Sequence, residues 1–240
     1  MTSKSSERVK NAYKAVLVLA GSLAALGAAR ADVITLDFEG VAPYPNNNDV
    51  FVQGFYNGGT SSIGTSGPNY GIEFSRNSLL ICLNSTTVFC SNTSRGGQAP
   101  DSAEGGLFFL TGSDSVMNVA AGFTTGFSFN YTSFSEPGSV GVYDDLNGTG
   151  SLLATINLPP NSTNCPDYGA GFCPFFPVGV AFAGTARSVS FAGVANQIVF
   201  DDITFGSDTP GGEVPEPASL ALLGLGLAGL GIARRRATAA

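Results

Sequence analysis

The chain has 240 residues, with 11 basic and 18 acidic side chains and no histidine, a length for one domain or two small ones. Without histidine, a Ser-His-Asp or Cys-His mechanism and histidine metal ligation are excluded. Between Asp32 and Pro217 three arginines (Arg76, Arg95, Arg187) stand against 17 acids, a net of −14; this excludes the cationic patch that nucleic acid requires and disfavours anionic lipid surfaces.

The first segment is basic, with Lys4, Arg8, Lys10 and Lys14, and is followed by the apolar run Ala15 to Ala28 and then Ala29-Arg30-Ala31. That order is a secretory signal peptide, residues 1–31, cut after Ala31. The alternative, an uncleaved transmembrane helix, needs about 20 apolar residues, and the run has 14. An acidic exported domain stays soluble by self-repulsion and is suited to collecting calcium.

Residues 32–205 are rich in Gly, Ser, Thr, Asn and Phe, with short apolar runs between turn residues. The first run, Ile34 to Glu39, alternates apolar and polar and predicts a half-buried strand. Pro43 to Gly71 reads as loop, punctuated by NNND, NGG and SGPNYG. Ile72 to Phe74 and Leu79 to Leu83 predict short strands, Ser91 to Gly106 a polar loop, and Leu107 to Thr111 a buried strand. In Phe123 to Phe134 the aromatics at 127, 129 and 131 share one strand face, as core or, alternatively, as a sugar-stacking stripe. Ser139 to Tyr143 and Leu152 to Leu158 flank DDLNGTGS as a hairpin. Val178 to Phe182, Ser188 to Phe191 and Gln197 to Phe205 complete nine or ten strands, with no amphipathic helix. The pattern predicts an all-β, jelly-roll-like β-sandwich.

Cys82 and Cys90, and Cys165 and Cys173, form two pairs with seven residues between partners. Four cysteines allow three connectivities. Two local bridges are the simplest in an oxidising compartment, and the spacing lacks the C-x-x-C of a four-thiolate zinc site. Gly206 to Glu213 has the composition of a flexible linker. Neighbouring carboxylates, Asp37 with Glu39, Asp144 with Asp145, and Asp201 with Asp202, lack a catalytic context for glycoside hydrolysis. The domain therefore reads as non-enzymatic, with a carboxylate-based glycosidase as the remote alternative.

The last segment, 214–237, opens with Val214, Pro215, Glu216 and Pro217. An apolar stretch from Ala218 to Ala233 follows, and Arg234, Arg235 and Arg236 close it. It predicts a single hydrophobic helix with its arginines on the cytoplasmic side. Sixteen residues rise only about 24 Å, short of a ~30 Å hydrocarbon core. This order and position resemble the PEP-CTERM sorting signal of Gram-negative bacteria. The resemblance implies recognition by an exosortase-type membrane enzyme through Pro215, Glu216 and Pro217, with the arginines as a stop-transfer signal. The protein would be held in the inner membrane before processing and then reach the cell surface or the extracellular space. It further implies an association with exopolysaccharide or biofilm matrix; the two targeting segments and the lack of a catalytic constellation point to a structural or adhesive role.

A second resemblance rests on the two ends of the domain, Asp37-Phe38-Glu39 and Phe200-Asp201-Asp202-Ile203, which are similar to jelly-roll carbohydrate-binding modules. It implies adjacent first and last strands and a structural calcium on Glu39 and Asp202, with Asp37 as a lesser ligand. The chain has no tryptophan for a sugar platform; Tyr56, Tyr70, Tyr131, Tyr143 and Tyr168 are the substitutes.

Overall fold

Phe127, Phe129 and Tyr131 alternate with Ser128, Asn130 and Thr132, and a strand built this way carries one aromatic face and one polar face. In the computed structural model this strand is central. The structure describes residues 33–45, 49–83, 104–162, 164–165, 169–170 and 174–211, all within the compact unit Ala31–Val214. The signal peptide and the apolar tail lie outside the described residues.

In chain order the strands are β1 (Ile34–Leu36), β2 (Val50–Phe51), β3 (Ile72–Phe74), β4 (Leu79–Cys82), β5 (Gly105–Phe108), β6 (Asp114–Phe123) and β7 (Gly126–Ser133). They continue with β8 (Gly138–Tyr143), β9 (Leu152–Leu158), β10 (Asn164–Cys165), β11 (Gly169–Ala170), β12 (Phe176–Ala181), β13 (Ala186–Ala192) and β14 (Ile198–Phe205). One sheet has the order β12-β7-β14-β5-β4-β2, with β1 also on β14; the other is β3-β6-β13-β8-β9, and β10 and β11 form a small ribbon. The two large sheets make a sandwich. Phe127, Phe129 and Phe200 of the first share one apolar core with Met117, Val189 and Phe191 of the second. Phe191 and Phe200 meet edge to face with ring centroids 4.8 Å apart, an arrangement that suits the ring quadrupoles. A second, smaller cluster, Leu79, Ile81, Leu83, Phe108 and Val199, uses the other face of β4, β5 and β14.

Strand β14 is buried along its whole length. Its core residues are Ile198 and Phe200, then Ile203 and Phe205, so the alternation changes parity between 200 and 203. The register explains this. Asp201 pairs with Asn130 and Thr204 with Ser128, three steps on β14 against two on β7, which is a β-bulge. Asp202 takes φ +47°, a left-handed conformation that aspartate tolerates better than most residues. The extra residue returns Ile203 and Phe205 to the core.

Several sequence expectations change. The first strand stops at Leu36, because Phe38 turns the chain with φ +59°; Phe38 is nonetheless fully buried. The run Leu107 to Thr111 yields a strand that begins earlier, at Gly105, and ends at Phe108. Phe123 to Phe134 is two strands, not one: β6 ends at Phe123, Thr125 turns with φ +77°, and β7 starts in the other sheet. Phe127, Phe129 and Tyr131 are 0 %, 0 % and 3 % exposed, which makes them core and rules them out as a sugar-stacking stripe. The stretch expected to be a flexible linker, 206–213, is held as far as Gly211. Gly206 N–H donates to Gly126 O at 3.0 Å and Gly211 N–H to Thr204 Oγ1 at 3.1 Å, while Ser128 Oγ donates to Ser207 O at 3.1 Å.

Candidate functional site at the junction of the first and last strands

Two strands share one flank of β14. β5 meets it at Phe200 through Leu107, and β1 meets it from Ile203 to Phe205. Asp201 and Asp202 fall in the interval between them. The expectation that the first and last strands lie side by side is met, with Ile34 opposite Phe205 and Leu36 opposite Ile203.

The chain leaving β1 is clamped where it turns. The Phe38 N–H donates to the Tyr56 hydroxyl at 3.1 Å, and the Tyr44 hydroxyl donates to the Phe38 carbonyl at 2.9 Å. Buried backbone groups outside a ladder need such partners. A Cβ on Gly105 would stand 2.5 Å from the Phe38 carbonyl oxygen and 2.8 Å from the Tyr44 hydroxyl, so only glycine permits this approach. Glu39 completes the turn: its Oε1 accepts the N–H groups of Glu104 at 2.8 Å and Gly105 at 2.9 Å. The carboxylate thus satisfies the two amides that enter β5.

On the β14 side, Asp202 Oδ2 accepts from Asn130 Nδ2 at 2.9 Å, and Asp201 Oδ1 accepts the Asp202 N–H at 2.7 Å. Both aspartates are buried. Asp37 is exposed and its Oδ1 accepts the Glu39 N–H at 3.2 Å. Electrostatics ties these groups together. Burial pushes the Tyr44 phenol well above its ordinary value, and Glu39, Tyr56, Asp201 and Glu104 push it the same way. Tyr56 is raised by burial and then by Asp37, is opposed by the Phe38 N–H, and is raised again by Asp201. Both phenols are neutral donors or acceptors in an acidic surround, since ionising either would add charge in a poorly solvated place.

Among the described residues no group of three or more His, Cys, Asp or Glu side chains is placed to hold a metal ion. Calcium takes six to eight oxygens, so an ion near Glu39 and Asp202 would have to complete its shell from other atoms. The other carboxylate pair read from sequence serves a turn. Asp144 Oδ1 accepts the Ser151 N–H at 2.6 Å and Asp145 Oδ1 the Leu146 N–H at 2.8 Å. Of the candidate sugar-platform tyrosines, Tyr56 and Tyr131 are buried and Tyr70 is exposed; Tyr143 is half-buried, and Tyr168 lies outside the described residues. Cys82 ends β4 and is disulfide-bonded. Cys90 and Cys173, and the side chain of Cys165, lie outside the described residues. So do the sorting residues Pro215, Glu216 and Pro217 and the terminal Arg234, Arg235 and Arg236. Among the described residues no helix is long and apolar enough to cross a membrane.

Sequence reasoning found Glu39 and Asp202 but not their partners. Tyr44, Tyr56, Glu104, Gly105 and Asn130 are scattered over three loops and two strands, and no spacing rule links them.

Fold and tail together define a class: a two-sheet β-sandwich joined to a C-terminal sorting segment. Residues 213–236 match the PEP-CTERM protein-sorting motif, so the chain carries the signal that implies export, exosortase processing and a place at the cell surface. Among solved structures the chain is similar to the K3 cleaved adhesin domain of Lys-gingipain from Porphyromonas gingivalis w83, at 12% identity and TM-score 0.30, over 74% of this chain and 93% of that one. No curated protein matches the chain.

Proposed function

We propose that this is a non-enzymatic surface protein that an exosortase recognises through Pro215, Glu216 and Pro217, and that its sandwich serves a structural or adhesive role in an exopolysaccharide-rich matrix. The observation that carries the reading is the sorting motif at 213–236. The carboxylates of the domain support it, because Glu39, Asp144 and Asp145 are engaged with backbone amides. The two prolines keep the recognition stretch out of helix, and the apolar span would hold it at the membrane.

The test compares the full chain with a chain lacking residues 214–240 in a Gram-negative host that possesses an exosortase. The full chain is expected to accumulate at the cell surface and in the matrix fraction in a processed form. The truncated chain is expected to lose both the processing and the retention. Equal size and equal distribution of the two would overturn the reading.

A structural calcium on Glu39 and Asp202, with Asp37 nearby, is a second element of the proposal. It is favoured by the pairing of β1 with β14, which sets Leu36 opposite Ile203, one residue from Asp37 and one from Asp202. Two local disulfides, Cys82 with Cys90 and Cys165 with Cys173, would stiffen the loops they close.

A further inference from the structure

Away from the β1–β14 junction, an open cleft of about 560 Å3 is lined by Phe51, Gln53, Gly54, Glu73, Phe74 and Arg76. Its size falls within the ~300–1,000 Å3 of small-molecule sites. One wall is the end of β2 and the turn that follows; the other is β3 and the turn into β4. Hydrogen bonds fix the walls together: Phe74 N–H donates to Gln53 O at 3.2 Å and Val52 N–H to Ser78 O at 3.0 Å. The backbone of the cleft is therefore preformed, and the ordering cost to a ligand falls on the side chains.

Three features set this cleft apart from ordinary surface. Gln53 holds φ +49°, a strained conformation for a side chain of its size that glycine would adopt freely; its side chain is exposed. Glu73 is also exposed and is oriented by Asn57, whose Nδ2 donates to Glu73 Oε1 at 2.7 Å. Arg76, one of three arginines in the exported domain, is exposed and enters no ion pair or hydrogen bond among the described residues. A carboxamide, a carboxylate and a guanidinium thus line one recess beside the half-buried Phe51.

We propose that this cleft is a binding site for a neutral, hydroxyl-rich oligosaccharide. The three planar groups supply both donors and acceptors in fork geometry, which suits pairs of neighbouring hydroxyls. Phe51 offers an apolar ring for the C–H face of a sugar. Glu73 and Arg76 cancel in charge, and the field of a stretch that carries −14 between Asp32 and Pro217 opposes accumulation of a polyanion. The biological use of such a site rests on the adhesive reading above, but the binding itself is measurable on the purified protein without cells.

The full chain, purified in a glycoside-free detergent, is applied to an array of neutral gluco-, manno- and galacto-oligosaccharides, with uronic-acid and sulfated glycans alongside. The protein is expected to retain at least one neutral series, and titration of that glycan gives the affinity. Gln53→Gly is expected to weaken binding about tenfold or more, with a melting temperature unchanged or raised, because it removes a contact while relieving the left-handed strain. Arg76→Lys, which keeps the charge and loses the fork, is expected to weaken binding by a similar factor. Retention of no neutral glycan, retention of anionic glycans alone, or wild-type affinity in both variants overturns the proposal. Loss of array binding with matrix retention intact would sink the cleft and leave the adhesive reading standing; the reverse result would do the opposite.

Discussion

The two clamping tyrosines make alkaline unfolding a direct test of the β1–β14 junction. Tyr44 and Tyr56 are both pushed above the ordinary phenol value, first by burial. A phenol whose folded value is raised keeps its proton after the unfolded chain has lost it. The stability it contributes is complete below about pH 10, the unfolded value, and declines as pH rises toward the folded value. Each such group costs about 1.4 kcal/mol per pH unit in that window, so the pair costs about 2.7. Two pH units would remove about 5 kcal/mol, comparable to the whole stability of a typical domain. The assay is urea unfolding followed by far-ultraviolet circular dichroism at intervals from pH 8 to 11.5. The wild-type free energy is expected to be flat to about pH 10 and then to fall with that slope. Tyr44→Phe deletes the bond to the Phe38 carbonyl, so it starts about 1 kcal/mol lower. Its decline above pH 10 should be shallower by one proton. A wild-type curve that stays flat to pH 11.5, or a Tyr44→Phe curve parallel to it, would refute the assignment of these phenols as buried neutral groups.

Two other perturbations probe the same junction. Gly105→Ala places a methyl against the Phe38 carbonyl and the Tyr44 hydroxyl; a loss of about 1–3 kcal/mol is expected from overpacking, read by urea denaturation, and a neutral result would mean the turn is not clamped. If calcium is held on Glu39 and Asp202, millimolar calcium is expected to raise the melting temperature of the wild type and to leave Asp202→Asn unmoved, since bound ligand stabilises only the state that holds it. No calcium-dependent shift in the wild type would end the calcium reading.

What the sequence made legible follows from how strongly each segment contrasts its two faces. Phe127, Phe129 and Tyr131 stand against Ser128, Asn130 and Thr132, and β7 was readable from that contrast alone. Strand β6, Asp114 to Phe123, was not, although it lies inside the five-stranded sheet. Its buried positions include Ser115, and Ala120 and Ala121 are exposed, so apolar and polar residues do not mark its inner and outer faces. Its place comes from pairing with β13 and β3, a tertiary effect that overrides weak strand propensity. The extent of β14 was readable and its bulge was not, because a parity change at Asp202 costs no apolar residue that a pattern would miss. The acids of the junction could be found as strand-end motifs; the tyrosines that clamp Phe38 beside them are brought there only by folding. The cleft on Phe51, Gln53, Glu73 and Arg76 falls where the sequence suggested only loop and a short strand.

These placements bear on where recognition can occur. Strand β14 is buried on both faces and β7 is buried at every position, so the centre of the seven-stranded sheet offers no surface to a partner. The carboxylates that looked most available for chemistry, Glu39 and Asp202, accept hydrogen bonds that hold the strand junction together. Truncating either side chain to alanine would weaken that junction. The segment between β2 and β4 differs in each respect. Its polar side chains at Gln53, Glu73 and Arg76 are exposed, and their backbone is anchored by bonds that do not involve those side chains. Gln53 holds a positive φ that glycine would adopt more easily. Residues with those properties are changed at little cost to folding, which allows a surface protein to alter what it binds while its scaffold and its sorting tail stay the same.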